Sequence, residues 1–312
     1  MVGYRKYTIF IFCFVFLVVL AGGIVRTTQS GMGCPDWPKC FGSWIPPLSA
    51  SDLPADFEKY LRKQDIDHTF NAFHTWIEYI NRLLGALLGL FVLIHLVWTF
   101  MKRKTLGNTL VIHSIAMLIV VLFTAWLGKV VVDENLAVVK ISLHMITALI
   151  LAFIPLMIVN QLDKRASVGG LTISKEIFLP YLGLFVLLIV QLLLGIGVRQ
   201  EIDVISKAGG YLNRETWLQS VGARFIIHRS FSWLILLLTV FILIKHKNQY
   251  FRNINKVIFG LVCTLMIFGI MLNYLDFPAI VQPLHLLFSL ILIALVFGVL
   301  HKVFLTSIRV KS

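Results

Sequence analysis

Leu143-His144-Met145-Ile146-Thr147-Ala148-Leu149-Ile150 reads onto Leu284-His285-Leu286-Leu287-Phe288-Ser289-Leu290-Ile291, each octet set in a long apolar run. The correspondence continues outward from both. A glycine stands sixteen residues before each histidine, Gly128 in one half and Gly269 in the other. Ile80-Asn81-Arg82 reads onto Ile227-His228-Arg229, and Gly23-Ile24-Val25-Arg26 reads loosely onto Ile196-Gly197-Val198-Arg199. Likeness by apolar composition alone would not reproduce one spacing and two arginine positions. The chain is therefore an internal duplication, and its fold follows from what one copy must do.

Each copy must cross a membrane. A hydrophobic fraction of 58% and a mean hydropathy of +0.88 belong to integral membrane proteins. Eight runs near 7–27, 70–100, 108–131, 138–160, 177–199, 218–244, 257–275 and 280–304 approach the roughly 20 apolar residues that span a bilayer. The first run is long, lacks a small-residue cleavage site and opens the first copy, so it reads as a retained helix rather than a signal peptide. The expected fold is all-α and integral to the membrane. Eight transmembrane helices would form two parallel four-helix-bundle repeats, residues 1–165 and 166–312, related by an axis along the membrane normal.

The net charge of +13 does not mark a nucleic-acid binder, because of where it falls. With the N-terminus inside, the inner segments hold Arg5, Lys6, Lys102-Arg103-Lys104, Lys164, Arg165, Lys175, Lys245, Lys247, Arg252, Lys256, Lys302, Arg309 and Lys311. Only Asp163 and Glu176 oppose them there, and the rest of the chain is balanced. That is a positive-inside signal, placing both termini in the cytoplasm and the protein in the cell membrane.

The second, fourth, sixth and eighth helices then enter from the outer face. At about 1.5 Å per residue, Asn81, His144, His228 and His285 share one depth, displaced outward. A histidine in a bilayer faces the bundle interior and has a partner. Two on neighbouring helices, repeated with the fold, point to axial ligation of haem iron. His228 and His285 form a bis-His pair suited to electron transfer. In the first half His144 has its counterpart, but Asn81 replaces the other histidine. Either His144 ligates alone and leaves a face open for chemistry, or His74 joins it from the same helix face. His74 lies about 10 Å further out by helical rise, so we favour the open site with His74 in support.

Glu78 shares the face of His74 and Asn81, and its counterpart is Phe225. A carboxylate at this depth serves a proton route, a substrate contact or a salt bridge, the last with Arg82 at i+4. Arg82 and Arg229 follow the ligand positions and suit haem propionates. Arg26 and Arg199 suit either propionates or interfacial snorkelling. His68, His113, His246 and His301 read as non-ligands.

The long outer loop 28–69 carries Gly33-Cys34-Pro35-Asp36-Trp37-Pro38-Lys39-Cys40. Its prolines and glycines dictate a tight turn. On an oxidising side Cys34 and Cys40 can form a disulfide, either redox-active or a permanent staple. Two thiols without an adjacent histidine are a poor zinc set. Cys13 and Cys263 read as small apolar residues within helices. A second outer loop is expected at about 200–217.

The string from Gly23 to Gly42, with Gly-Cys-Pro-Asp-Trp-Pro at its centre, Glu78-Tyr-Ile-Asn-Arg and the two Leu-His helices together resemble the haem A synthase family over essentially the whole chain. The resemblance implies an oxidoreductase that converts the C8 methyl of haem O to a formyl group by successive hydroxylations, giving haem A for cytochrome oxidase. It implies haem b on His228 and His285, substrate haem O in the N-terminal half with Glu78 near the reacting methyl, and loop cysteines engaged in redox or haem transfer. Haem O synthase, cytochrome oxidase assembly and a membrane electron donor such as quinol are the implied partners. The sequence leaves a homo-oligomer open. The family usually has histidine at Asn81, and a second cysteine pair of some members is absent from 200–217. A b-type electron carrier would want ligands at both faces and no Glu78. A non-enzymatic haem-handling protein is the other rival.

Overall fold

The computed structural model describes residues 1–61, 70–134, 136–166, 175–210, 212–245 and 249–309. His68, His246, Lys247 and Lys311 lie outside them. Among the described residues eight helices are long and apolar enough to cross a membrane: α1 (Val2–Thr27), α2 (Ala72–Met101), α3 (Asn108–Asp133), α4 (Val138–Ala166), α5 (Lys175–Ala208), α6 (Ala223–Lys245), α7 (Gln249–Tyr274) and α8 (Val281–Arg309). Among the described residues every other named element is a short helical turn, apart from one isolated bridge between Cys40 and Ser43. Helices dominate because a backbone in hydrocarbon must satisfy its own hydrogen bonds. This is an all-α, multi-pass membrane protein.

The chain divides into two compact units, Met1–Val159 and Asn160–Ser312. In the first, α2 packs against α1 and α3. The His144 ring of α4 reaches the Thr124 carbonyl of α3, and Arg26 of α1 reaches Met145 of α4. In the second, α5 packs on α6, α6 on α7, α7 on α8 and α8 back on α5, a closed ring. Its core includes Tyr181, Leu184, Ile258 and Leu290, all nearly inaccessible.

The first unit is tied near its basic end by a polar network absent from our sequence reading. His95 is fully buried. Its Nε2 lies 3.0 Å from Thr8 Oγ1 of α1, and its Nδ1 lies 3.2 Å from Ser114 Oγ of α3. Thr99 Oγ1 lies 2.8 Å from the Tyr4 hydroxyl and 3.0 Å from Ser114 Oγ, and donates to the His95 carbonyl. Both ring nitrogens are thus occupied by hydroxyls, so this histidine joins three helices and has no lone pair to offer a metal. The equivalent tie in the second unit is simpler: Tyr181 donates to Asn255 Oδ1 at 2.5 Å, and Asn255 is buried.

The outer segment expected as a loop at 200–217 is largely helical. α5 continues to Ala208, and a separate helix, Arg214–Val221, precedes α6 across Gly222, whose φ is +66°. The physical reason is amphipathic: Val198, Ile202, Trp217, Leu218, Val221 and Phe277 form one buried cluster. Arg199–Asp203 and Arg224–Glu201 ion pairs lie on its polar side.

Replacing His95 with Leu should lower stability by about 1–3 kcal/mol, the cost of stranding buried hydroxyls. Denaturant unfolding of the purified protein in detergent measures it, and a variant as stable as wild type would remove the network from the account.

Candidate functional site

Four positions, two in each unit, make up the candidate site: Asn81 and His144 in the first, His228 and His285 in the second. Each faces a glycine of the preceding helix. A Cβ built on Gly128 would lie 3.2 Å from His144 Cε1, and one on Gly195 would lie 3.0 Å from His228 Cε1. One on Gly269 would lie 4.0 Å from His285 Cε1, and one on Gly22 would lie 3.8 Å from Asn81 Oδ1. Gly128 and Gly269 are the spacing partners already visible in the sequence. Gly22 and Gly195 complete the set and went unread, because both lie in glycine-containing apolar runs without a histidine nearby in sequence. At Gly128 and Gly195 an added Cβ would press on the imidazole, so glycine gives those two rings room, whereas at Gly269 and Gly22 the approach is an ordinary van der Waals contact.

The ring nitrogens differ from those of His95. His144 Nδ1 lies 3.0 Å from the Thr124 carbonyl, to which it donates as the Nδ1–H tautomer. Its Nε2 then carries the lone pair and makes no hydrogen bond among the described residues. Nδ1 of His228 is buried without a hydrogen-bond partner among the described residues. The His285 ring lies by the Leu265 carbonyl, twenty residues before it as Thr124 is before His144, but its Nδ1 falls short of hydrogen-bond geometry there, and the two imidazoles are close enough to interact electrostatically. Gln191 of α5 donates to the His228 carbonyl at 3.0 Å, which fixes that turn of α6. Two neighbouring imidazoles with Nε2 available are a donor set that can hold haem iron from both sides. Asn81 has a buried Oδ1 without a partner. An amide in that place is a weak ligand but a competent hydrogen-bonding group.

The described histidines read from the sequence as non-ligands make contacts of their own. His113 bonds the Thr109 carbonyl, and the His301 ring stacks on Phe297. Among the described residues no group of three or more His, Cys, Asp and Glu side chains could hold a metal ion. His74 meets the cysteine loop through its backbone, described next.

Cys34 and Cys40 form a disulfide, and both are inaccessible. Asp36 accepts from the backbone N–H groups of Phe41 at 2.6 Å and Gly42 at 2.9 Å, which knits the turn. The loop is clamped to α2. Glu78 Oε2 accepts from Cys34 N at 2.8 Å, and Glu78 Oε1 takes Arg82 Nη2 at 2.5 Å and Nε at 3.1 Å. Arg82 Nη1 donates to the carbonyls of Asp36 at 2.6 Å and Lys39 at 3.1 Å, and Nη2 to that of Cys34 at 2.6 Å. Thr75 donates to the Gly33 carbonyl at 2.8 Å. A Cβ on Gly33 would lie 2.4 Å from the backbone of His74, so only glycine allows this approach.

The Glu78–Arg82 pairing that the i+4 spacing allows is therefore present. All five N–H groups of Arg82 are engaged, and none is left for a propionate while the loop holds this conformation. Its counterpart Arg229 differs. It lies over the Phe225 ring, 5.7 Å from the centroid, and makes no hydrogen bond or ion pair among the described residues. Arg199 bonds Gln282 and pairs with Asp203 at 2.9 Å.

Comparison with known proteins follows the same outline. A sequence profile described as cytochrome oxidase assembly protein, COX15-CtaA, matches residues 5–297. A protein named heme A synthase from Wolbachia sp. of Brugia malayi is 25% identical over 310 residues, covering 88% of this chain and 89% of its own. Heme A synthases from Ehrlichia canis and Bartonella quintana are 29% and 32% identical over 153 and 157 residues. These two matches cover 45% and 46% of this chain but only 44% and 43% of the relatives, less than half their length.

Arg82→Ala should free the loop carbonyls and leave Glu78 buried without a counter-charge, a loss of about 3–5 kcal/mol. Dithiothreitol should then reduce Cys34–Cys40 faster than in wild type, while Arg229→Ala leaves that rate unchanged. Equal rates in all three proteins would mean that the clamp does not hold the loop.

Proposed function

The chain belongs to the COX15-CtaA family of cytochrome oxidase assembly proteins, and we propose from that membership and from its site that it is a haem A synthase. Its substrate is haem O, and its reaction oxidises the C8 methyl to a formyl group by successive hydroxylations. The observation that carries the reading is the set of equivalent positions beside glycines in both units, three imidazoles and Asn81, joined to a buried Glu78 whose counterpart in the second unit is Phe225. A pure electron carrier has no use for that carboxylate.

The two units divide the work. His228 and His285 hold haem b in the C-terminal unit, and Arg229 is the cation available to its propionates. When bound, haem b supplies one-electron transfer from a membrane donor such as quinol. In the N-terminal unit Nε2 of His144 is the ligand atom offered to the substrate's iron, held in that role by the Nδ1–H bond to Thr124. Asn81 keeps the opposite side free of a strong ligand. Glu78 lies beside this site with its carboxylate oriented by Arg82 and Cys34 N, a fixed negative charge and proton acceptor next to the reacting methyl. His74 supports the loop rather than the iron.

Haem O synthase supplies the substrate and cytochrome oxidase assembly consumes the product. On this reading the protein sits in the cytoplasmic membrane with both termini inside and the haem sites toward the outer face, an orientation that the distribution of lysine and arginine supports. The orphaned Asn81 Oδ1 also suits a haem-holding protein without activity, and one experiment separates the two.

Co-expression with a haem O-producing enzyme, followed by chromatographic separation of haems B, O and A, is that experiment. Haem A should form, and should vanish in His144→Ala. Glu78→Gln should lose haem A while keeping haem b. Gly195→Val should lose haem b itself, because the added carbons occupy the place of the His228 ring. Haem B with unconverted haem O in the unaltered protein would overturn the synthase reading.

A further inference from the structure

The outer loop does more than clamp Glu78 and Arg82. α2 holds it from two sides, and the second side is the exposed one. Thr75, Glu78, Leu88, Val92, His95 and Thr99 form the buried face of α2. Trp76 and Tyr79 lie off that face. Trp76 belongs with Phe73, Ile80, Leu83, Leu87 and Leu90, residues exposed along the helix at three- and four-residue steps. From there Trp76 Nε1 donates to the Pro47 carbonyl at 3.2 Å, and the Tyr79 hydroxyl donates to the Trp44 carbonyl at 2.5 Å. Between these two tethers Pro46 and Pro47 turn inward and are buried. Trp44, Ile45 and Leu48 turn outward, with 65%, 73% and 70% of their surfaces exposed.

The depth of the tethers follows from helix length. α2 has 30 residues, which at about 1.5 Å each make roughly 45 Å, the thickness of a bilayer with its headgroups. The Lys102-Arg103-Lys104 cluster anchors one end at a membrane boundary. Counted from Met101, Tyr79 is about 33 Å and Trp76 about 38 Å along the helix axis. With a headgroup layer at each end, hydrocarbon occupies roughly the stretch from 7 to 37 Å, so both tethers stand at its far edge, the level where tryptophan and tyrosine are enriched. The three exposed apolar side chains are held at that level. Lys39 lies over the Trp44 ring, 5.8 Å from its centroid, within reach of phosphates. Directly after Leu48 the loop becomes polar, with the Asp52 carboxylate accepting from Ser49 N at 2.9 Å and from its hydroxyl at 2.8 Å in an exposed knot.

We infer that residues 44–48 form an interfacial anchor that inserts Trp44, Ile45 and Leu48 into the lipid leaflet remote from the Lys102-Arg103-Lys104 cluster. The partner is the bilayer itself. The loop straddles the end of α2, with its disulfide clamped to the buried face and its apolar rim in lipid. Any haem-like substrate carrying a long apolar tail would meet this rim before the site.

The test uses the full chain in phospholipid nanodiscs at matched pigment content. The emission of Trp44 is taken as the difference between wild type and Trp44→Phe. In nanodiscs containing phosphatidylcholine brominated near the headgroup end of its acyl chains, most of that difference emission should be lost. Aqueous iodide should leave it nearly unchanged. Tyr79→Phe, which cuts one tether, should shift the Trp44 emission to longer wavelength and expose it to iodide. Ile45→Trp in the Trp44→Phe background repeats the reading at a neighbouring position. Quenching by iodide and not by brominated lipid would overturn the proposal in favour of a solvated loop. Protection from both quenchers would overturn it in favour of a protein contact.

Discussion

A carboxylate and a guanidinium buried one turn apart near the end of α2 set the terms for everything around them. Neither ion can stand alone at that depth, and Glu78 with Arg82 leaves three guanidinium N–H groups still in need of acceptors. The nearest supply is the backbone of the cysteine turn: the carbonyls of Cys34, Asp36 and Lys39 accept all three. Three carbonyls converge on one guanidinium only if the chain is bent tightly, and the disulfide with the Asp36 cap bends it. Contact that close excludes a side chain at Gly33. The long outer loop thus follows from one ion pair, and the interfacial rim at 44–48 follows from the loop.

The fold was legible because two periodicities reinforce each other: apolar runs of bilayer length, and a second copy of the whole pattern. The candidate level was read from the same pattern, since Asn81, His144, His228 and His285 align across the copies, and the structure seats each of them beside a glycine of the preceding helix. What sequence did not disclose were partners distant along the chain. His95 lies in an unbroken apolar run, and its hydrogen-bond partners, Thr8 and Ser114, are 87 and 19 residues away. Single hydroxyls of that kind carry no pattern. Gly22 and Gly195 were invisible for a related reason, because a glycine's meaning depends on which ring it faces. The helix Arg214–Val221 was missed because its apolar residues serve a small local cluster, too few to register as a membrane run.

The three kinds of histidine in this chain illustrate how partner chemistry separates scaffold from site. His95 has both nitrogens bonded and can only hold helices together. His144 has one nitrogen bonded to a carbonyl, the arrangement that fixes a tautomer and leaves the other nitrogen as a ligand. His228 has a buried Nδ1 without a partner among the described residues, and His285 sits by the Leu265 carbonyl short of hydrogen-bond geometry, each ring beside a glycine of the preceding helix. Burial alone does not rank them. The unsatisfied lone pair does.

The arginines show how one duplicated scaffold came to hold two unlike sites. In the first unit Arg82 is fully engaged, and Arg26 of α1 is directed at Met145 Sδ, 3.9 Å away. In the second unit the roles are exchanged: Arg199 of α5 is paired with Asp203 and Gln282, while Arg229 lies over Phe225 without a polar partner among the described residues. The exchange turns on a single position, Glu78 in one copy and Phe225 in the other. With phenylalanine there, Arg229 rests on the ring without a hydrogen bond or ion pair among the described residues, and on our proposal it is the cation that suits an anionic group that stays bound. A glutamate there consumes the cation in a clamp and adds a carboxylate in its place. A molecule that enters, reacts and leaves is better served by the second arrangement, since no strong charge pair has to be broken on release.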